Sequence, residues 1–267
     1  MKINNKKLII LLSLLTVLIL FIILLIYIKA VNREKLTDKE IHELEKITLN
    51  FNDRVNELNS FDSGDYIPIG WLQVQGTNID FPILDSNSSQ NEKTIEYSYG
   101  WRSPNYNNGE NREVLIGHNI INVSSTPMLS NENLENFEAL MSFSYYSFAK
   151  DNLYIQYTKD NKNELYLIYA VGFYDYYYDG AETIKEENKI KEYIKNVKEK
   201  SIYDYDIEVN SNDSLLTIKT CTRYFGSNEK QQFVIDARKV RDDEEIIKYN
   251  VKTNDIFEKL INNDEKN

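Results

Sequence analysis

The strongest pattern along the chain is a single apolar run. Leu8 to Ile28 (LIILLSLLTVLILFIILLIYI) is 21 consecutive uncharged, almost wholly apolar residues. A helix of that length, rising about 1.5 Å per residue, spans a hydrocarbon core about 30 Å thick. It therefore predicts a membrane anchor. The alternative is a cleaved signal peptide, whose apolar region is about 7 to 15 residues long and ends at an A-x-A-like site; the following Lys29-Ala30-Val31-Asn32 supplies no such site. Lys2, Lys6 and Lys7 stand on one side of the run and Lys29, Arg33 and Lys35 on the other. The simplest orientation is a signal anchor, with residues 1–7 as a cytoplasmic tail, 8–28 in the membrane and the rest outside.

Beyond the run the periodicity changes twice. Thr37-Asp38-Lys39-Glu40 reads as a capping box, and Ile41, Leu44, Ile47, Phe51, Val55 and Leu58 recur every three or four residues. Residues 29–60 are thus expected to be a linker and an N-terminal helix that ends near Asn59-Ser60. From about Tyr66 the pattern becomes short β-type runs: Gly70 to Val74, Glu113 to Ile116, Leu153 to Tyr157, Glu164 to Val171, Leu215 to Thr220 and Gln232 to Ile235. Turn-forming residues cluster between them, at Ser86 to Gln90 and Asn105 to Asn111. This predicts a mainly antiparallel β-barrel or sandwich over 61–241. Two helical inserts interrupt it, one around Leu134 to Met141 and one over about Ile184 to Lys200, where Ile190, Tyr193, Ile194 and Val197 share a face. Residues 242–267 read as a charged tail with at most a short docking helix, carried by Ile246, Ile247, Ile256, Phe257 and Leu260.

Charge narrows the partners. The first 30 residues hold four lysines and no acid; taking those from the 31 Lys and Arg leaves 27 against 42 Asp and Glu, a net of −15. Such a body repels phosphate backbones, which argues against nucleic acid. One Cys and two His exclude an intramolecular disulfide and a Cys-based or His-rich metal site, so no metal or cofactor is expected. Twenty tyrosines, including Tyr174 and Tyr176 to Tyr178, read mostly as strand surface.

The chemistry falls to Cys221 and His118. A sole cysteine facing an oxidising exterior is either buried and inert or kept for its reactivity. Cys221 ends the run Leu215 to Thr220, and His118 ends the run Glu113 to Gly117. A thiol and an imidazole at two strand ends make a nucleophile and acid/base pair. His42, among charged neighbours in the expected N-terminal helix, reads as a surface histidine.

Thr217-Ile218-Lys219-Thr220-Cys221 resembles the T-L-x-T-C signature of sortases, the membrane-anchored cysteine transpeptidases of Gram-positive cell surfaces. Ile116-Gly117-His118-Asn119 is similar to their G-H-x motif, and Ile69 to Pro82 (IGWLQVQGTNIDFP) is similar to the G-W-L-x-I-x-G-T-x-I-D-Y-P opening of class B. The resemblance covers roughly Asn59 to Arg238. It implies a sortase-like closed β-barrel, with an N-terminal helix and a long helical insert before the cysteine strand. Cys221 would be the nucleophile and His118 the acid/base, with Asn119, Thr220 and Gln232 around the substrate.

There is one departure. Class B enzymes carry an arginine in an R-x-V-V setting after the cysteine, and here that setting reads Gln232-Phe233-Val234-Ile235. Arg223, two residues past Cys221, is the candidate replacement; Arg238, six residues along an extended strand from Gln232, is about 20 Å away. Gln232 as an uncharged donor is the alternative. The activity implied is transpeptidation of a C-terminal sorting motif in secreted proteins, through a thioacyl enzyme, onto an amine of a peptidoglycan precursor or another surface protein. Two other readings remain: a degenerate, membrane-tethered peptide-binding module, and a cell-wall cysteine peptidase. In papain-like peptidases, however, Cys precedes His, and here the order is reversed.

Overall fold

The computed structural model describes residues 45–62, 66–85, 99–103, 111–119, 136–175, 187–224 and 231–264. The chain divides into two compact units, Met1–Glu45 and Lys46–Asn267. The apolar run Leu8 to Ile28, the capping box at Thr37 and His42 lie outside the described residues, among which no helix is long and apolar enough to cross a membrane.

Within the second unit, eight strands close into a barrel among the described residues. Around the barrel they run β1 (Pro68–Val74), β2 (Asp80–Leu84), β3 (Gly100–Arg102), β4 (Arg112–Gly117), β8 (Leu215–Thr222), β9 (Gln231–Lys239), β6 (Lys162–Asp175) and β5 (Tyr154–Lys159), which returns to β1. β7 (Tyr203–Tyr205) and β10 (Val251–Thr253) pair as a separate two-stranded sheet. Each β-type run read from the sequence falls on a barrel strand, with Leu153 one residue ahead of β5. β2 and β3 escaped that reading, because β2 contains Pro82 and β3 is three residues long. The pairing also departs from the antiparallel expectation at two places, since β2 with β3 and β4 with β8 are parallel.

Side-chain alternation sorts the strands into two faces. Leu72, Ile83, Leu115, Tyr157, Ile218 and Ile235 point inward and are fully buried. The 3₁₀ helix Phe137–Ser144 is buried almost throughout, and its Phe137 ring lies against Gly100 and Gly117. The barrel end where β4 and β8 begin is filled instead by charge of alternating sign. Asp85 pairs with Arg102 at 2.7 Å, Arg102 reaches Glu113 at 4.0 Å, Glu113 holds Lys159 at 2.9 Å, and Glu164 takes Lys159 at 3.8 Å and also Lys239. That sequence of ion pairs crosses the ends of five barrel strands and the residue that follows β2.

The expected N-terminal helix is corrected. Of its described part only α1 (Val55–Ser60) is helical. Residues 46–52 run extended because their backbone groups bond elsewhere. The Ile47 N–H donates to the Ile246 carbonyl at 3.2 Å, and the Asn52 N–H and carbonyl are taken by the two ends of the Gln73 amide, each at 2.9 Å. Ile47 and Phe51 still pack on the core, from an extended strap rather than a helical stripe.

α2 (Tyr146–Ala149) is a single turn, and the long insert is α3 (Glu187–Lys200). Its buried residues are Ile190, Tyr193, Ile194 and Val197, the four that share a face in the sequence. Beneath it is a buried polar group. Arg112 lays its guanidinium 4.1 Å over the Tyr193 ring and donates Nε–H to Thr217 Oγ1 at 3.0 Å; the Thr217 hydroxyl donates to Asp236 at 2.6 Å, and so does the Tyr193 hydroxyl. Burial pushes the Asp236 carboxyl up, against the pull of Arg112 and the two hydroxyls.

After β9 the chain is fastened back onto the barrel, and α4 (Asp255–Asp264) follows β10. Arg238, 2% exposed, donates to both Glu244 oxygens at 2.6 Å and to the Glu208 carbonyl at 2.7 Å. Burial pushes Glu244 up, but Arg238, the Tyr249 hydroxyl and the Arg241 N–H outweigh it and hold the carboxyl at about 2. A depressed carboxyl stabilises the fold above its unfolded value and loses that contribution as pH falls through the folded one. Glu244→Gln is expected to cost about 3–5 kcal/mol by leaving Arg238 buried without its counter-charge. In urea unfolding, the variant is also expected to lose part of the wild-type pH dependence between about 4.5 and 2.

Candidate active site

Parallel pairing of β4 with β8 builds the site. Their register runs from Arg112 opposite Leu215 to Gly117 opposite Thr220, so the next residue on each strand is His118 and Cys221. Two residues 103 apart in sequence are thereby placed on neighbouring strands about 4.8 Å apart. Two hydrogen bonds lock the step. Thr220 Oγ1 donates to the Gly117 carbonyl at 2.8 Å, and Asn119 Nδ2 donates to the Cys221 carbonyl at 3.0 Å. Gly117 is required as well, since a Cβ there would overlap the Phe137 ring. The His118 ring sits beside Trp101 of β3, with centroids 4.9 Å apart at 56°.

Alternation along β8 puts Thr217, Lys219 and Cys221 on the outer face and Leu216, Ile218 and Thr220 on the inner one. Cys221 is exposed and Lys219 is buried, 7% exposed. Although Cys221 reaches solvent, its surroundings strip enough hydration to push the thiol up, and Lys219 pulls it part of the way back.

The remaining residues singled out in the sequence divide. Gln232 lies directly across from Cys221 on β9, is 8% exposed, and its Oε1 has no hydrogen-bond partner among the described residues. Asn119 spends its amide N–H on the Cys221 carbonyl, while its Oδ1 has no partner among the described residues. Thr220, expected around the substrate, has its hydroxyl buried on the inner side, where it ties β8 to β4. Arg223 is exposed just past β8 and makes no hydrogen bond or ion pair among the described residues. Arg238 lies opposite Leu215, at the far end of β8, held by Glu244. Sequence reasoning missed Trp101 and Lys219. The period-two alternation already placed Lys219 on the face of Cys221; nothing local marked Trp101. A polar recess of about 340 Å³, lined in part by Asn52, Gln73, Gln75 and Thr77, is built on β1 and β2 rather than on the strands carrying the thiol.

No family model matches the chain. Its sequence is similar to sortase B of Listeria monocytogenes, 26% identical over 213 residues that cover 76% of this chain and 82% of that protein. Its fold is similar to that of Clostridium perfringens sortase B, with a TM-score of 0.53 over 70% of this chain and 98% of that one at 23% identity. Staphylococcus aureus sortase B gives a TM-score of 0.53 over 70% and 85% at 16% identity. The barrel is thus similar in fold to the sortase barrel, and here His118 and Cys221 follow one another across the ends of two parallel strands. The likeness in both sequence and fold is to sortases of class B.

The raised thiol sets a measurable expectation. An unperturbed thiol titrates near about 8.5, so at pH 7 only about three in a hundred are thiolate, and a raised one has fewer still. Iodoacetamide labelling of Cys221 is expected to rise roughly tenfold per pH unit from 7 upward, with no plateau below about pH 8.5. Intact-mass spectrometry over that range checks it.

Proposed function

We propose that the protein is a class B-type sortase transpeptidase. The observation that carries this reading is the register that sets His118 beside Cys221 on parallel strand ends. The Cys221 sulfur, its proton having passed to His118, attacks the carbonyl carbon of a sorting motif as the thiolate, and the carbonyl π pair moves onto oxygen. The tetrahedral adduct collapses by expelling the amine, to which His118 gives a proton, and a thioester remains. An incoming amine attacks the thioester, loses a proton to His118 and expels the Cys221 thiolate, which restores the starting pair. Substrates are then secreted proteins with a C-terminal sorting motif. The acceptor is an amine of a peptidoglycan precursor or another surface protein. Staphylococcus aureus sortase B, known in complex with substrate, and a sortase B complexed with triglycine support both halves of that assignment. The run Leu8 to Ile28 would tether the enzyme to the cell membrane with the barrel outside.

The nucleophile and acid are tested together. Cys221→Ala is expected to abolish cleavage of sorting-motif peptides with the fold intact, and His118→Ala to lose about two to four orders of magnitude in rate. Cleavage by Cys221→Ala above about one per cent of wild type overturns the reading.

The oxyanion donor separates an efficient sortase from a degenerate, peptide-binding one, the reading that Gln232 at the arginine position favours. Removing such a donor typically costs about a hundred- to a thousand-fold in rate. If Arg223 serves, Arg223→Ala falls by that factor in acylation and Gln232→Arg changes little. If the site is impaired by the missing arginine, Arg223→Ala is silent and Gln232→Arg speeds acylation. Stopped-flow measurement of thioester formation distinguishes the two.

A further inference from the structure

We propose that Lys219 is the positioning residue that supplies the fixed positive charge of this site, holding an ammonium on the outer face of β8 beside Cys221 to stabilise its thiolate. The inference deepens the sortase reading and rests on its assignment of Cys221 as nucleophile.

Three observations carry it. Lys219 and Cys221 are two residues apart on one strand, hence on the same face with Cα atoms about 6.8 Å apart. Lys219 is only 7% exposed, flanked by Val234 across β9 and Ile116 across β4, so its stem is held between two apolar side chains rather than free to wander into solvent. Other described cations lie away from this face or beyond the end of the strand. Arg112 lies under Tyr193, Arg238 is held by Glu244, Lys200 sits 5.8 Å over the Tyr174 ring, and Arg223 follows the strand end.

Among the described residues, the groups facing the thiol come from four places. β8 offers Lys219, the end of β4 offers His118, the exit of β8 offers Arg223, and β9 offers the neutral Gln232, with Tyr174 of β6 opposite that glutamine. Asp236 and Arg112 lie further down the same face, in the buried group under α3. Of these, Lys219 is the group that draws the thiol down while burial pushes it up. A unit charge on the same face of a partly dry site shifts a neighbour by about one pH unit, a tenfold change in thiolate.

The test follows iodoacetamide alkylation of Cys221 against pH in the full-length protein in detergent micelles. Lys219→Met is expected to raise the midpoint by about one pH unit and to slow alkylation at pH 7 about tenfold, while Lys219→Arg stays within about 0.3 unit of wild type. Peptide turnover by Lys219→Met, where the wild type shows it, is expected to fall at neutral pH and recover at alkaline pH, a profile that a folding defect does not produce. Should Lys219→Met unfold, Lys219→Gln is compared with Lys219→Arg. A midpoint raised in Gln and kept in Arg supports the proposal, and equal midpoints overturn it. An unmoved midpoint in Lys219→Met likewise overturns it. Alkylation needs no peptide, so a shifted midpoint in a protein that processes no peptide refutes the sortase reading alone. Peptide turnover with an unmoved midpoint refutes this inference alone.

Discussion

The parallel contact between β4 and β8 is the constraint on which the site depends. A parallel pair cannot be closed by a hairpin, so the chain must leave the end of β4, cross back and re-enter at the start of β8. Here that crossing contains β5, β6 and α3. Its consequence is that both strands end at the same rim. An antiparallel pair would have put His118 and Cys221 at opposite ends of the barrel. The register matters as much as the direction, because a slip of one residue exchanges the faces of a strand. It would turn Cys221 into the core and Thr220 out to solvent. The Thr220 hydroxyl on the Gly117 carbonyl and the Asn119 amide on the Cys221 carbonyl hold against that slip at the point where it would do most harm.

The rest of the barrel is arranged around that rim. Near it, Phe137 fills the space left by Gly117 and Gly100. At the other end, the inward-facing Glu113, Lys159, Glu164 and Lys239 are paired in alternating sign, which offsets the desolvation that each would suffer alone. Outside, α3 covers β8 and β9 as far as Thr217 and Asp236, whose bonds to Tyr193 and Arg112 fix the helix over the sheet. That cover stops short of Cys221, which stays exposed while Thr217 on the same face is 2% exposed. One face of one strand thus passes from sealed to open within four residues.

Much of this was legible in the sequence, and the exceptions have physical causes. Strand runs such as Leu215 to Thr220 announce themselves through β-branched and apolar composition, and the α3 stripe through its 3.6 period. Strand direction leaves no local mark, so the parallel β4/β8 pair was not foreseen, although the Gly-His and Thr-Cys motifs at its ends were. The helix expected through Ile47 and Phe51 failed because spacing reports which residues are buried, not how their backbone is satisfied. There the Gln73 amide takes both groups of Asn52. Thr220, expected around the substrate, lies next to Cys221 in sequence but faces the opposite side of the sheet.

What the site does with its charge follows from the same geometry. Burial acts on Cys221 in two opposed ways. It disfavours a bare thiolate, and it lowers the dielectric through which Lys219 attracts that thiolate. With no cation fixed on the face, covering the site with a peptide would only raise the thiol further. With Lys219 held between Val234 and Ile116, the same covering also strengthens the attraction, so that binding need not silence the nucleophile. Gln232 fits this arrangement. An arginine opposite Cys221 would bring a second charge to the same small face, whereas an amide there can donate to a developing oxyanion through its N–H groups without needing a counter-charge while the site is empty. If Lys219 serves as proposed, the fixed positive charge of the site lies on β8 just behind Cys221, where it acts on the thiolate before attack rather than on the oxyanion after it.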